Sequence, residues 1–156
     1  LTGHLVLSTL HTNDSPGAIT RLLDMGVASY QLAAALVGVV AQRLVRSICP
    51  ACRAPYYPPE ELLREIHFKG DLRQAFARGQ GCPSCNETGF KGRTGIYELM
   101  SCNNELRALI MREPNIDVFR NWHRTSGGRS LLEEGIRVAA QGKSSLDEVM
   151  RAAFFE

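Results

Sequence analysis

The sequence has no apolar run long enough to cross a bilayer. Its longest, Leu32 to Val40, reads LAAALVGVV, about half of the ~20 residues a transmembrane helix needs, so no span is expected. Net charge is equally slight: eighteen Lys and Arg against sixteen Asp and Glu leave +2, too small an excess to favour nucleic acid or an anionic membrane surface as partner. A phosphate-binding loop is missing as well. Gly142-Lys143-Ser144 supplies the end of G-x-x-x-x-G-K-[ST], but Arg137 stands where the first glycine belongs, and the stretch follows a predicted helix instead of a strand. GFKGRTG, residues 89–95, has the glycines but follows a cysteine pair. No acidic strand end is found to hold Mg²⁺. Nucleotide binding by these residues alone is therefore not expected. The first residue is Leu1, with no charged leader or cleavage site, so no signal peptide is read and the chain is expected to be cut from something longer.

What is present is ordinary in bulk and specific in detail. With 156 residues, 44% hydrophobic and 22% charged, the chain suits one soluble domain or two small ones with a real core. Five cysteines fall as Cys49-x-x-Cys52, Cys82-x-x-Cys85 and a separate Cys102. Two-residue spacing lets both thiolates of a pair reach one tetrahedral ion, and the segment between folds back to bring in the second pair. Pro50 and Pro83 help fix the two knuckles. Two disulfides or four buried thiols are the alternatives. An unpaired cysteine beside two tight pairs fits a reduced, cytosolic protein. A redox role would use one C-x-x-C ahead of a helix. The favoured ligand is Zn²⁺ on Cys49, Cys52, Cys82 and Cys85, structural because four thiolates leave no open position. Cys102 reads as a small buried apolar residue.

Along the chain, LVLSTL at 5–10 predicts a strand covered on both faces, as in a parallel sheet. Ser15 as cap and Pro16 at the first helical position predict the start of a helix that Gly26 ends. A second helix is expected over 29–47, apolar nearly all round. PPEELLREI and DLRQAFARG read as short helices, residues 82–95 as a glycine-rich turn region, and 96–100 as a strand. Helices are predicted over 103–112, 116–125, 130–141 and 145–155, the last with Ser145 and Glu148 at capping-box spacing. A composition shift near Ser47 marks a boundary.

His4 and His11 bracket the first predicted strand. On one continuous strand, residues seven apart point to opposite faces. His11 stands where the strand meets a polar turn with Thr9, Thr12 and Asn13, the end of a parallel strand where ligands bind. His67 and His123 carry no motif and are read as non-functional.

Taken in order, LTGHLVLSTLHTNDSPGAITRLLDMG, AQRLVRSICPAC, GCPSCNETGFKGRTGIYELM and SLLEEGIRVAAQGKSSLDEVMRAAF resemble the secretion ATPase superfamily of type II secretion and type IV pilus assembly, least closely over 56–80. The resemblance implies an α/β fold: the C-terminal part of a RecA-like parallel-sheet ATPase core over 1–47, an inserted tetracysteine zinc-binding lobe over 48–100, and a mainly helical region over 101–156. It implies a homo-hexamer that hydrolyses ATP at the cytoplasmic face of the bacterial inner membrane. Its partners would be inner-membrane platform proteins, with membrane association only through them and no nucleic acid. His4 and His11 carry over as the histidines of the family's His box, near the ATP γ-phosphate. The four cysteines look like the metal module of the assembly ATPases, which retraction ATPases lack. The family's Walker A and Walker B motifs would precede Leu1, so ATP and Mg²⁺ are expected in the parent protein only and the fragment alone is expected to be inactive. A zinc-ribbon-like module that binds nucleic acid or protein is the competing reading, against which stands the dispersal of Arg21, Arg43, Arg46 and Arg53 among apolar positions.

Overall fold

In the computed structural model, which describes residues 3–112 and 114–154, the first regular element follows the HTND turn, not the apolar run before it. Leu5, Val6 and Leu7 are 76%, 79% and 88% exposed, and residues 3–11 carry neither helix nor strand. The strand expected over 5–10 therefore does not form among the described residues. Its apolar, β-branched character suits a strand flanked and covered by others, and no strand of the described sheets pairs with it.

Helix α1 spans Ser15–Asp24. Its cap is Asp14, whose Oδ1 accepts from the Gly17 amide at 2.9 Å, and not the expected Ser15. Ser15 lies one residue inside, fully buried. Gly26 ends the helix in a left-handed conformation, φ +90°, where Val27 N donates back to Leu22 O at 3.1 Å. Helix α2 covers only Ser29–Ala35, and β1 takes over at Gly38–Ile48, so the long helix expected to 47 divides. Gly38 interrupts it, and Val37, Val39 and Val40 are β-branched. Positions 38 to 46 then alternate, odd residues turned inward and even ones exposed, which is strand and not helix periodicity.

Contacts divide the chain into two units, Leu1–Ala41 with Glu98–Ser130 and Gln42–Tyr97 with Leu131–Glu156. The first unit contains α1, α2, α4 (Asn104–Arg112) and α5 (Ile116–Thr125). Ile19, Leu32, Met100, Leu106, Ile110, Phe119 and Trp122 form its core, with Cys102 packed among them as a buried apolar residue. Asn115 caps α5 by accepting from the Asp117 amide at 2.8 Å.

The second unit holds β2 (Arg53–Tyr56), α3 (Glu60–Glu65), β3 (Phe76–Gly79), the first part of β4 (Phe90–Ser101), α6 (Leu131–Ala140) and α7 (Leu146–Phe154). β2 and β3 run antiparallel, with Arg53 opposite Gly79 and Tyr56 opposite Phe76. The sheets among the described residues are two-stranded, β1 with β4 and β2 with β3. DLRQAFARG, expected helical, gives a turn and then β3. Phe76 and Ala77 are both buried, and Arg78 lies 5.3 Å over the Tyr56 ring. The stretch expected as one glycine-rich turn to residue 95 becomes strand at Phe90. Along β4, Ile96, Glu98 and Met100 are buried while Tyr97 and Leu99 are exposed. The four C-terminal helices fall within two residues of their expected bounds at each end that is described. Residue 155, the expected end of the last, lies outside the described residues. No described helix is long and apolar enough to cross a membrane.

Candidate metal centre

Each cysteine pair sits on a tight 3-10 turn, Pro50–Cys52 and Pro83–Cys85. Cys49 follows directly on β1, and its amide donates to Gly89 O at 2.9 Å. That bond ties the first knuckle to the loop leaving the second. The second knuckle closes through Cys85 N to Cys82 O at 3.0 Å and Thr88 Oγ1 to Cys85 O at 2.6 Å. Glycine is required where β3 runs under this loop: a Cβ on Gly79 would collide with the Gly89 carbonyl.

The four sulfurs converge within 4.8 Å of one another. Cys49 Sγ lies 3.9 Å from Cys82 Sγ, Cys52 Sγ 3.9 Å from Cys85 Sγ, and Cys82 Sγ 3.7 Å from Cys85 Sγ. Disulfides need sulfurs about 2 Å apart, and all five cysteines are free. A tetrahedral zinc with bonds of about 2.3 Å sets its sulfurs about 3.8 Å apart, so these residues fit the ion. Cys49 and Cys85 are buried, Cys52 and Cys82 partly so.

The backbone prepares one of the thiols for ligation. Burial pushes Cys85 up, but the amides of Cys82 and Gly89, each 3.3 Å from its sulfur, and the neighbouring Cys82 and Cys52 thiols bring it down to about 6. Burial first, and then the bond to Cys85, pushes Cys82 up to about 11. Cys52 is raised chiefly by burial. The cluster thus holds Cys85 as thiolate near neutral pH, while a bound ion would displace the protons of Cys52 and Cys82. A metal held by all four thiols would have no open coordination position.

His4 and His11 are exposed in the segment before α1. They belong to the first unit and the four thiols to the second. Gly142-Lys143-Ser144 is no phosphate cradle: Ser144 Oγ is buried and donates to Arg46 O at 2.8 Å, and Lys143 O accepts from Ile48 N at 3.0 Å. The turn braces the end of β1 instead.

The sequence reading missed the buried carboxylate of Glu98 and gave that of Glu148 a capping role; the Glu148 amide does donate to Ser145 Oγ at 3.2 Å, but its carboxylate turns to two arginines. Glu148 accepts from the Arg46 amide, the Arg46 guanidinium and Arg151. Glu98 accepts from both the amide and the hydroxyl of Ser15. The alternation of IYELM was the available signal for Glu98, because it places that residue on the face of Ile96 and Met100.

Four convergent thiols, set between strand ends and followed by helices, define the class: a mixed α/β protein with a tetracysteine cluster placed to bind a metal. More particularly, the chain belongs to the Type II/IV secretion system protein family, which it matches over residues 1–151. It is 44% identical over 97% of its length to type II secretion system protein E of Pseudomonas aeruginosa, and 43% identical over 97% to type II secretion system ATPase E of Vibrio cholerae. It is 41% identical over 96% of its length to the type IV pilus assembly ATPase PilB of Thermus thermophilus. It spans 30% of the length of each of the first two relatives and 17% of the third.

Proposed function

We propose that the chain is the C-terminal part of a hexameric, RecA-like ATPase that powers type II secretion or type IV pilus assembly. The ATPase would work at the cytoplasmic face of the bacterial inner membrane. The observation that carries this reading is the 97% coverage at 43% identity against a relative named as a secretion ATPase. Residues 1–47 would complete the ATPase core, 48–100 form the zinc lobe and 101–156 the helical C-terminal region. The exposed apolar segment before α1 would then be an inner strand of a parallel sheet whose other strands come from elsewhere in the protein.

In this reading ATP and Mg²⁺ are bound by Walker motifs beyond these residues. His4 and His11 approach the γ-phosphate side of the substrate, where an imidazole N–H can donate to a phosphate oxygen. The zinc lobe, held by Cys49, Cys52, Cys82 and Cys85, takes no part in chemistry and fixes a surface for inner-membrane platform proteins. When bound, zinc supplies the tetrahedral cross-link between the two knuckles.

The deciding experiment compares ATP hydrolysis by this chain with that of a longer protein containing it. The chain alone should show no turnover above background, and the longer protein should turn over ATP and lose activity on His11→Ala. Robust turnover by the 156-residue chain that disappears on His11→Ala refutes the division of labour.

A further inference from the structure

We propose that Glu98 is a positioning residue for the His11 turn, its buried carboxylate setting where the segment that carries His11 enters α1. This rests on the reading of His11 as a site residue and adds what fixes its place.

Glu98 is 3% exposed and Ser15 0%. Oε1 of Glu98 accepts from Ser15 N at 2.9 Å and from Ser15 Oγ at 2.6 Å, across 83 residues of sequence. A carboxylate is rarely buried so deeply without a specific task, because its desolvation must be offset by hydrogen bonds. Here the task is legible. The Ser15 amide is among the first of α1, which have no acceptor within the helix. Asp14 caps the amide of Gly17, and Glu98 takes the amide that Asp14 does not. A negative group at this end also suits the helix dipole. His123 stands across the carboxylate, but its Nε2 is 3.9 Å from Oε1, too far for a hydrogen bond.

The same turn is fastened twice more. Thr12 Oγ1 donates to Asp14 O at 3.1 Å, and Arg120 Nε donates to Asp14 Oδ2 at 2.7 Å. Of these three ties the one to Glu98 is the most deeply buried, and it falls four residues after His11. Residues 3–11 contribute no helix or strand of their own. The place of His11 is therefore set from its downstream end.

The test compares wild type with Glu98→Ala, Glu98→Gln and Ser15→Ala, all zinc-loaded. Hydrogen exchange of the Ser15 amide and ¹⁵N relaxation of residues 11–14 are read in this chain, and kcat and KM for ATP in the longer ATPase. Glu98→Ala should speed Ser15 exchange about tenfold or more and loosen residues 11–14, while the Leu106 and Phe119 amides keep their protection. Glu98→Gln keeps an acceptor oxygen and should restore both. In the ATPase, Glu98→Ala should cut kcat about tenfold with KM within about twofold, again rescued by Gln. Unchanged Ser15 exchange overturns the proposal, as does a Gln variant no better than Ala. Should Glu98→Ala fail to fold, Ser15→Ala decides: alanine is tolerated inside a helix, and unaltered mobility at 11–14 in that variant overturns the proposal. Absence of ATP turnover in the wild-type longer protein refutes the ATPase reading, and the exchange data then decide the positioning separately.

Discussion

Removing the Glu148 carboxylate should cost the second unit about 3 kcal/mol. Glu148 is 2% exposed. Its two oxygens accept from the Arg46 amide at 3.1 Å, Arg46 Nη2 at 2.7 Å, Arg151 Nη2 at 2.8 Å and Arg151 Nε at 3.2 Å. The bond from the β1 amide to a buried charge is worth about 1.5 kcal/mol or more. The two guanidiniums are 47% and 60% exposed, so each ion pair is discounted to roughly 0.5–1 kcal/mol. A second route gives a similar figure. Burial alone would raise the Glu148 carboxyl, but Arg46 and Arg151 outweigh it and bring it from 4.5 to about 2. At ~1.4 kcal/mol per pH unit that is on the order of 3 kcal/mol before screening.

The sign follows from the direction. A carboxyl whose folded pKa is depressed adds stability above its unfolded value near 4.5 and loses it as pH falls through about 2. Urea unfolding followed by circular dichroism, with zinc saturating, should place Glu148→Ala about 3 kcal/mol below wild type at pH 7, and Glu148→Gln about half as far because Gln still accepts from the Arg46 amide. Loss of metal on acidification is common to all three, so the difference between wild type and variant is what should shrink below pH 4.5. A Glu148→Ala cost under ~1 kcal/mol, typical of a surface pair, would refute the account, as would a difference that stays constant down to about pH 2.

Atomic absorption should find about one zinc per chain. A strong chelator should make four of the five thiols react quickly with a disulfide reagent, Cys102 lagging because it is buried in the other unit; a metal-free chain that stays folded under reducing conditions would contradict this. Gly79→Ala should destabilise the metal lobe by about 2–4 kcal/mol, since the new methyl would collide with the Gly89 carbonyl, and a melting temperature equal to wild type would argue against the close approach. Asp14→Ala removes both the α1 cap and the partner of Arg120 and should cost about 1–2 kcal/mol in chemical denaturation, while Asp14→Asn, which keeps a capping oxygen, should retain much of that stability.

What the sequence disclosed depends on how local the governing physics is. Cys49 and Cys52, like Cys82 and Cys85, are paired by a two-residue turn, so their spacing alone announced a shared ligand, and the sulfurs do converge. The last four helices were readable for the same reason, each having its own apolar face within about ten residues, with Asn103, Asn115 and Ser145 as local caps for three of them. β1 was not. LAAALVGVV is apolar in either register, and whether Val39 and Val40 continue a helix or begin a strand depends on pairing with β4, some fifty residues away. β3 failed likewise, because Phe76 and Ala77 find their place against β2 and not through their own periodicity.

Leu5 to Leu10 is the instructive case. Its composition predicts a covered strand, and among the described residues it has neither partner nor cover. Burying three such side chains is worth about 1.5–3 kcal/mol each, and Leu5, Val6 and Leu7 stay 76–88% exposed, which is what the proposed inner strand of a larger sheet would bury. The polar turn that follows is different: it is already fixed, by Asp14, Arg120 and the Ser15–Glu98 bonds. In the proposed reading, the turn that carries His11 is thus held from within these residues. Local motif reading could not see that support, since it depends on a glutamate 83 positions downstream of the serine it holds.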